Sequence, residues 1–453
     1  MTAGKGSNDA FFRAGKRSPW PLVAFGMVGA SISGVTFVSV PGMVQAADMT
    51  YLQMCMGFIL GYGVVAFVLL PLYYKYNLTS IYTYLGTRFG EVSRRTGASI
   101  FLVSKLTGAA AKLYLTCLVL GELLEVPFII VALAALVLIW LYTRRGGIKT
   151  LVWTDAVQTL CLLMAAVLMI VQLASQLDLT GSEVWTTVWN GPHARIFEFS
   201  DWTSRQLFWK QFLSGIFVVI VMTGLDQDMM QKNLTCRTLR DGQKDLCSYG
   251  LLFLPVNFLF LSLGVLLLLF VSQHPELTLP EKGDELLPMV VGSGLLGQTA
   301  LLLLTVGIVA SAFSSADSAL TALTTSYCVD IKGKAAGVSF RQRTHIVMAI
   351  LLLLCVLGIW AVGSGSVLDL IYMLVGYTYG PLLGLFAFGM ITHYKVNDRL
   401  VPYVAIASPL LCFFIDFAAH QLWNYRFGYE LLMLNGLLTF IGLWLLRKRN
   451  YQA

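Results

Sequence analysis

The feature that most constrains this chain is its supply of apolar runs long enough to cross a bilayer. A helix needs about 20 predominantly apolar residues to span the hydrocarbon core. On that ruler the 453 residues hold twelve segments, approximately 20–43, 51–74, 97–121, 127–143, 151–175, 207–225, 247–272, 296–326, 343–363, 367–393, 401–420 and 427–446. Backbone in lipid has no water to bond, so such runs are helices. With 57% hydrophobic and only 12% charged residues, a water-soluble domain is excluded. The expected fold class is an all-α polytopic membrane protein of about twelve transmembrane helices.

The basic residues set its orientation. With the N-terminus in the cytoplasm, 24 of the 31 Lys and Arg residues fall on inner segments and 5 on outer ones, while Lys105 and Lys112 lie within the third span. An even number of spans puts both termini inside, as expected of a multi-pass protein of the cell inner (plasma) membrane. The net charge of +7 therefore has a membrane explanation, and no nucleic-acid partner is expected. The eight cysteines contain no CxxC pair, and the histidines form no cluster, so neither a disulfide nor a metal centre is expected. Nothing in the chain points to an obligatory protein partner. The inner segment 78–95 has scattered apolar positions that predict a course along the membrane surface.

One stretch is too polar for its depth. Ser311-Ala312-Phe313-Ser314-Ser315-Ala316-Asp317-Ser318 interrupts an otherwise apolar span. At 100° per residue, Ser311, Ser314, Ser315 and Ser318 share one face and Asp317 flanks it. A carboxylate and four hydroxyls at bilayer depth cost several kcal/mol unless something pairs with them. Close packing through small residues would account for the serines, but not for Asp317. A desolvated small cation is the natural partner.

Two other spans look broken. The first reads Gly26-Met27-Val28-Gly29-Ala30-Ser31-Ile32-Ser33-Gly34-Val35-Thr36, with Pro41-Gly42 towards its outer end. Glycines and hydroxyls at mid-membrane weaken the helix and let carbonyls leave the axis, unless they serve close helix packing instead. The sixth carries Gly215 and ends in Thr223-Gly224-Leu225-Asp226-Gln227-Asp228. Interrupted spans five apart are what an inverted repeat of five plus five helices predicts. Asp155, near the start of the fifth span, reads either as a helix-start acid or as a second carboxylate on an ion path. Lys112 lies deep in the third span, where a lysine pairs, snorkels or meets an anionic substrate. Lys105, nearer the inner end, is expected to snorkel.

These residues resemble the sodium:solute symporter family. The octet and its continuation to Cys328-Val329-Asp330-Ile331 look like that family's eighth core helix, and Gly146-Gly147-Ile148-Lys149 through Trp153-Thr154-Asp155-Ala156-Val157-Gln158 is similar to its fifth. Phe11-Phe12-Arg13-Ala14-Gly15-Lys16-Arg17-Ser18-Pro19-Trp20 resembles the approach to its first core helix. Gly224-Leu225-Asp226-Gln227 resembles the end of its sixth, and Gly380-Pro381-Leu382-Leu383-Gly384 part of its tenth. Members usually carry a further spanning helix before that approach, and this chain begins close to it.

The resemblance implies a leucine-transporter-like fold. Residues 1–19 would form a cytoplasmic segment, 20–175 and 207–393 two inverted five-helix repeats, and 401–446 two accessory helices. It implies a sodium site built from backbone carbonyls of Gly29, Ile32 and Ser311 with the hydroxyls of Ser314 and Ser315. A second sodium, bound in some members, would fall to Asp155, Ser314, Asp317 and Ser318. Substrate contacts from the broken first helix would be Ser31, Ser33 and Thr36, with Gln53 and Lys112 the candidates from the second and third helices.

The function expected is symport of sodium with a small polar solute: a sugar, a sugar acid such as sialic acid, or an amino acid. A carboxylated solute is favoured if Lys112 faces the cavity. Three other readings stand beside it. A proton-coupled transporter of the same fold would use Asp155 and Asp317 as carriers. A non-transporting sensor would need an output domain, for which the tail after residue 446 is short. An enzyme would need a paired nucleophile and base, and none is seen.

Overall fold

A computed structural model describes residues 8–448 apart from 33, 203, 334–336, 363–366, 424 and 426. Among the described residues seven helices are long and apolar enough to cross a membrane, or nine if each of two bent pairs is one span. Two shorter apolar helices and one further 25-residue helix complete the set, and all twelve expected segments meet a helix or a bent pair.

The first span is the pair α1 (Trp20–Ser31) and α2 (Gly34–Ala47). It is followed by α3 (Tyr51–Val64, whose span runs on to Lys75), α4 (Glu91–Leu124), α5 (Phe128–Gly146) and α6 (Ile148–Gln176). The sixth span is a second bent pair, α7 (Phe208–Val219, prolonged by a π-helical turn to Gly224) and α8 (Gln227–Asn233). Then come α9 (Leu239–Gln273), α10 (Gly297–Ser326), α11 (Val338–Val362), α12 (Val367–Ile391), α13 (Val401–Trp423) and α14 (Leu431–Leu445).

The two breaks fall where the sequence weakens the helix. The first span bends by 58° and the sixth by 71°. In the sixth the break comes at Gly224–Asp226, and Gly215 serves a different end. A Cβ on Gly215 would lie 2.3 Å from the Met54 carbonyl oxygen, and one on Gly57 would lie 2.1 Å from that of Phe212. These two glycines let α3 and α7 approach backbone to backbone, the means by which helices associate where lipid removes the hydrophobic drive.

One face of segment 78–95 packs into the protein. Ile81, Tyr82 and Leu85 are buried. The Tyr82 hydroxyl donates to the Leu225 carbonyl (2.9 Å), and the Gln227 amide donates to that of Thr79 (3.0 Å). The segment is wedged under the second bend because that bend leaves carbonyls in need of donors. Outward-facing Val157, Leu160, Met164 and Val171 of α6, and Ile346, Ile350 and Leu354 of α11, form the apolar surface that lipid covers.

Candidate functional site

The octet of α10 meets the broken first helix and α6 at one junction. Gly29 is pressed against Thr159 of α6, whose Oγ1 would lie 1.9 Å from any Cβ there. Thr159 in turn donates to the Asp155 carbonyl (2.6 Å). The helix α1 stops at Ser31, with the Ile32 N–H returning to the Val28 carbonyl (2.9 Å). Helix termination frees the carbonyls of the last turn. No side chain among the described residues donates to the carbonyls of Gly29 or Ile32.

From the facing side, Ser314 Oγ donates to Asp155 Oδ1 (2.6 Å), and Ser315 Oγ is buried with no hydrogen-bond partner. Freed carbonyls, an orphaned hydroxyl and a nearby carboxylate are oxygen donors of the kind a hard monovalent cation takes. Ser311 falls within α10, but its side chain lies outside the described residues, as does all of Ser33.

Beside this junction sits a charged cluster. Asp317 is fully buried; its Oδ2 accepts from the Tyr142 hydroxyl (2.5 Å) and its Oδ1 from Ser318 Oγ (3.2 Å). Asp155 Oδ2 lies 2.8 Å from the Lys232 ammonium, and both side chains are at most 2% exposed. The two groups form a buried ion pair. Asp155 is thus more than a helix-start acid. Neither Tyr142 nor Lys232 was singled out in the sequence. Lys232 had a signal, since it follows the Gly224–Gln227 break and a half-helix after a break turns back into the protein. Tyr142, an aromatic near a span end, had none.

The central cavity encloses about 170 Å³ between the two bent spans, α3, α4 and α9. Ser31 and Thr36 line it, and Ser31 hydrogen-bonds with the Tyr249 hydroxyl. Met54, Phe58, Met222 and Phe253 supply apolar wall. Lys105 does not snorkel: its ammonium lies 2.7 Å from Asp228 and 3.2 Å from Asp226. Asp226 has further donors in the Tyr379 hydroxyl (2.7 Å) and the Asp228 N–H (2.8 Å) that it caps at the start of α8. Lys112 lines the same cavity, and among the described residues its ammonium takes no ion-pair partner.

Gln53 is placed elsewhere. Its amide donates to the carbonyls of Thr50 (3.1 Å) and Gln206 (2.9 Å) and accepts from the Glu198 N–H (3.0 Å). Those bonds consume its polar capacity and tie α3 to the loop before α7 rather than facing the cavity. In that loop the Ser200 hydroxyl and N–H, with Arg195 beside them, hold the Glu198 carboxyl below the usual glutamate range.

The sequence model of the sodium:solute symporter family matches residues 11–399, and the chain belongs to that family. It is 27% identical over 429 residues to a sodium/sialic acid symporter of Aliivibrio fischeri, covering 89% of this chain and 82% of that one. A sodium/sialic acid symporter of Proteus mirabilis is 26% identical over 403 residues, covering 84% and 79%. The human sodium/iodide cotransporter is 27% identical over 402 residues, covering 85% of this chain and 62% of its own.

Among solved structures, a Na⁺-coupled sialic acid symporter in a substrate-bound outward-open state superposes with a TM-score of 0.82 at 23% identity, covering 97% of this chain and 92% of the other. The nucleobase-cation-symport-1 transporter Mhp1, in a closed conformation, superposes at 0.61 with 14% identity, covering 95% and 92%. The shared fold is leucine-transporter-like. The chain is a multi-pass membrane protein and a sodium-coupled solute symporter, not an enzyme, and sodium and a solute are its ligands.

Proposed function

We propose that the protein takes up a small carboxylated solute with sodium, and that Lys112 receives the carboxylate. The observation that carries this reading is the contrast between the two cavity lysines. Lys105 is held by Asp226 and Asp228, whereas Lys112 has no such partner among the described residues. A cation in a mostly apolar cavity is costly until an anion arrives. Ser31, Thr36 and Tyr249 offer hydroxyls to the rest of the solute.

The cavity, at about 170 Å³, is below the roughly 300 Å³ at which drug-sized pockets begin, which favours a compact carboxylate. A second reading, sialic acid itself, is favoured by what the two bacterial relatives are named for and requires the cavity to widen on binding.

The transported sodium sits at the junction of carbonyls from Gly29, Ile32 and Ser311 with hydroxyls of Ser314 and Ser315. There it holds the broken first helix against α10, so the solute meets an organised site before the bundle rocks to the other side. Residues 20–175 and 207–393 form the two repeats of this motion, and 401–446 stand outside it. The bias of basic residues places both termini in the cytoplasm of a cell whose inner (plasma) membrane holds the protein. Roughly 2.3 kcal/mol per charge per 100 mV then drives sodium inward.

A thermal-shift screen of purified protein tests the reading. Small carboxylates and sialic acid should raise the unfolding midpoint only with sodium present, and amide analogues should not. Stabilisation by neutral solutes equal to that by their acids would remove Lys112 from its role.

A further inference from the structure

We infer that the bundle holds a second binding site, a cavity of about 640 Å³ that takes a phospholipid whose head group carries both a phosphate and a primary ammonium. The inference goes beyond the solute reading and uses neither Lys112 nor the sodium junction.

The cavity lies along α2, α7 and α12, nearer one end of the bundle than the solute cavity. On α7 it is lined by Gln211 and Ser214, one turn before Val218, which lines the solute cavity. On α2 it reaches Met43, two turns beyond Thr36, and α13 with the start of α14 supplies the rest of its wall. Trp202, Trp209 and Trp423 are exposed at the same end, a belt of the kind that marks a membrane interface. On the orientation proposed above, that interface is the outer one.

Arg205, Lys210, Asp416 and Glu430 all line this cavity, and among the described residues none of the four forms an ion pair. Lys210 donates to the Trp202 carbonyl (2.7 Å), Asp416 accepts from the Phe427 N–H (3.2 Å) and Glu430 from the Tyr425 hydroxyl (2.6 Å). Each keeps further hydrogen-bonding capacity. Opposite charges that line one cavity without meeting suit a ligand that carries both signs. The guanidinium and the lysine ammonium receive a phosphate, and the two carboxylates receive a primary ammonium with its three donors. Deeper in the wall, the Ser214 hydroxyl and the Gln211 side-chain oxygen are buried without a hydrogen-bond partner, a need that polar head-group atoms meet.

The rim decides for a lipid over a soluble zwitterion. Phe413 and Phe417 line the cavity and are exposed, on a helix whose Leu410 and Phe414 also face outward. Acyl chains beside α13 can therefore continue from a head group seated between Arg205 and Asp416. Asp416 itself interrupts an apolar span, where a carboxylate is costly unless it has a task. Basic pockets between spanning helices are a known means of holding head groups.

The test is calorimetric binding of three probes to purified full-length protein in detergent: short-chain phosphatidylethanolamine, short-chain phosphatidylglycerol and free phosphoethanolamine. Phosphatidylethanolamine should bind about tenfold more tightly than either of the others, which lack the ammonium or the acyl chains. Asp416→Asn with Glu430→Gln should abolish the preference over phosphatidylglycerol. Both amides keep an acceptor for Phe427 and Tyr425, so the unfolding midpoint without lipid should change little. Arg205→Gln should weaken both lipids about tenfold. Equal binding of the two lipids by the wild type would overturn the charge assignment. Equal binding of free phosphoethanolamine would make the ligand a soluble one and overturn the lipid. A folded paired variant that keeps the preference would place the lipid elsewhere. Lys112→Met should leave lipid binding unchanged, and a loss there would mean that the lipid occupies the solute cavity instead.

Discussion

The two bent spans differ in how they treat the backbone they expose. At the second bend the freed carbonyls are answered by the protein: Tyr73 donates to Gly224 (2.7 Å) and Tyr82 to Leu225 (2.9 Å). Its charges are answered too, with Lys105 between Asp226 and Asp228. At the first bend no described side chain donates to Gly29 or Ile32, α1 carries no charged residue, and Ser315, which lines the central cavity, has a buried hydroxyl with no partner. A site whose oxygens already have partners is a hinge. One whose oxygens lack them is a place for an ion that arrives and leaves. The absence of charge in α1 matters as much as the presence of oxygen, since a transported ion must be bound weakly enough to be released.

The comparison can be broken most sharply at Lys105. Replacing it with Met leaves Asp226 and Asp228 buried without their cation, which should cost about 3–5 kcal/mol of stability. The readout is a large fall in the thermal unfolding midpoint. A protein of unchanged stability but altered sodium affinity would invert the roles of the two bends. Lys112→Met should leave folding intact and weaken a carboxylated solute by about 2 kcal/mol, roughly thirtyfold in KM. Neutral analogues should be unaffected.

Tyr82→Phe removes one donor to the Leu225 carbonyl and should cost about 1 kcal/mol in denaturation, with the sodium concentration for half-maximal uptake unmoved. The smallest effect concerns the outer loop. Its folded-state Glu198 carboxyl is lowered from the ordinary value of 4.5 by the Ser200 hydroxyl and N–H. The stability from these ties is therefore full above that value and fades as the pH falls through the lowered one. Removing the hydroxyl tie with Ser200→Ala, which leaves the N–H tie in place, should alter unfolding only in the range above that lowered value, and transport near neutrality should not change.

The spans were legible because lipid leaves the backbone no alternative to helices, and the two breaks because Gly26–Gly34 and Thr223–Asp228 weaken a helix wherever they occur. The octet could be recognised from cost alone, since Asp317 at that depth demands a partner. What the sequence hid was pairing across the chain. Lys105 and Asp226 are 121 residues apart, and nothing local distinguishes a lysine that snorkels from one that meets an acid of another helix. Gln53 misled for the opposite reason: its polarity marked a real need, which the backbone of Thr50, Glu198 and Gln206 met. The folding of α8 back into the protein likewise turned Lys232 from a loop base into the partner of Asp155.

The central claim is that the uncharged bend, together with Ser314 and Ser315, holds the transported ion. It is tested most directly by sodium binding to purified wild type and to Ser314→Ala with Ser315→Ala. Loss of the two hydroxyl oxygens should weaken sodium by about 2 kcal/mol, roughly thirtyfold, and loss of the Ser314 donor to buried Asp155 should also lower the unfolding midpoint in the absence of sodium. Equal sodium affinity in the two proteins would contradict the account.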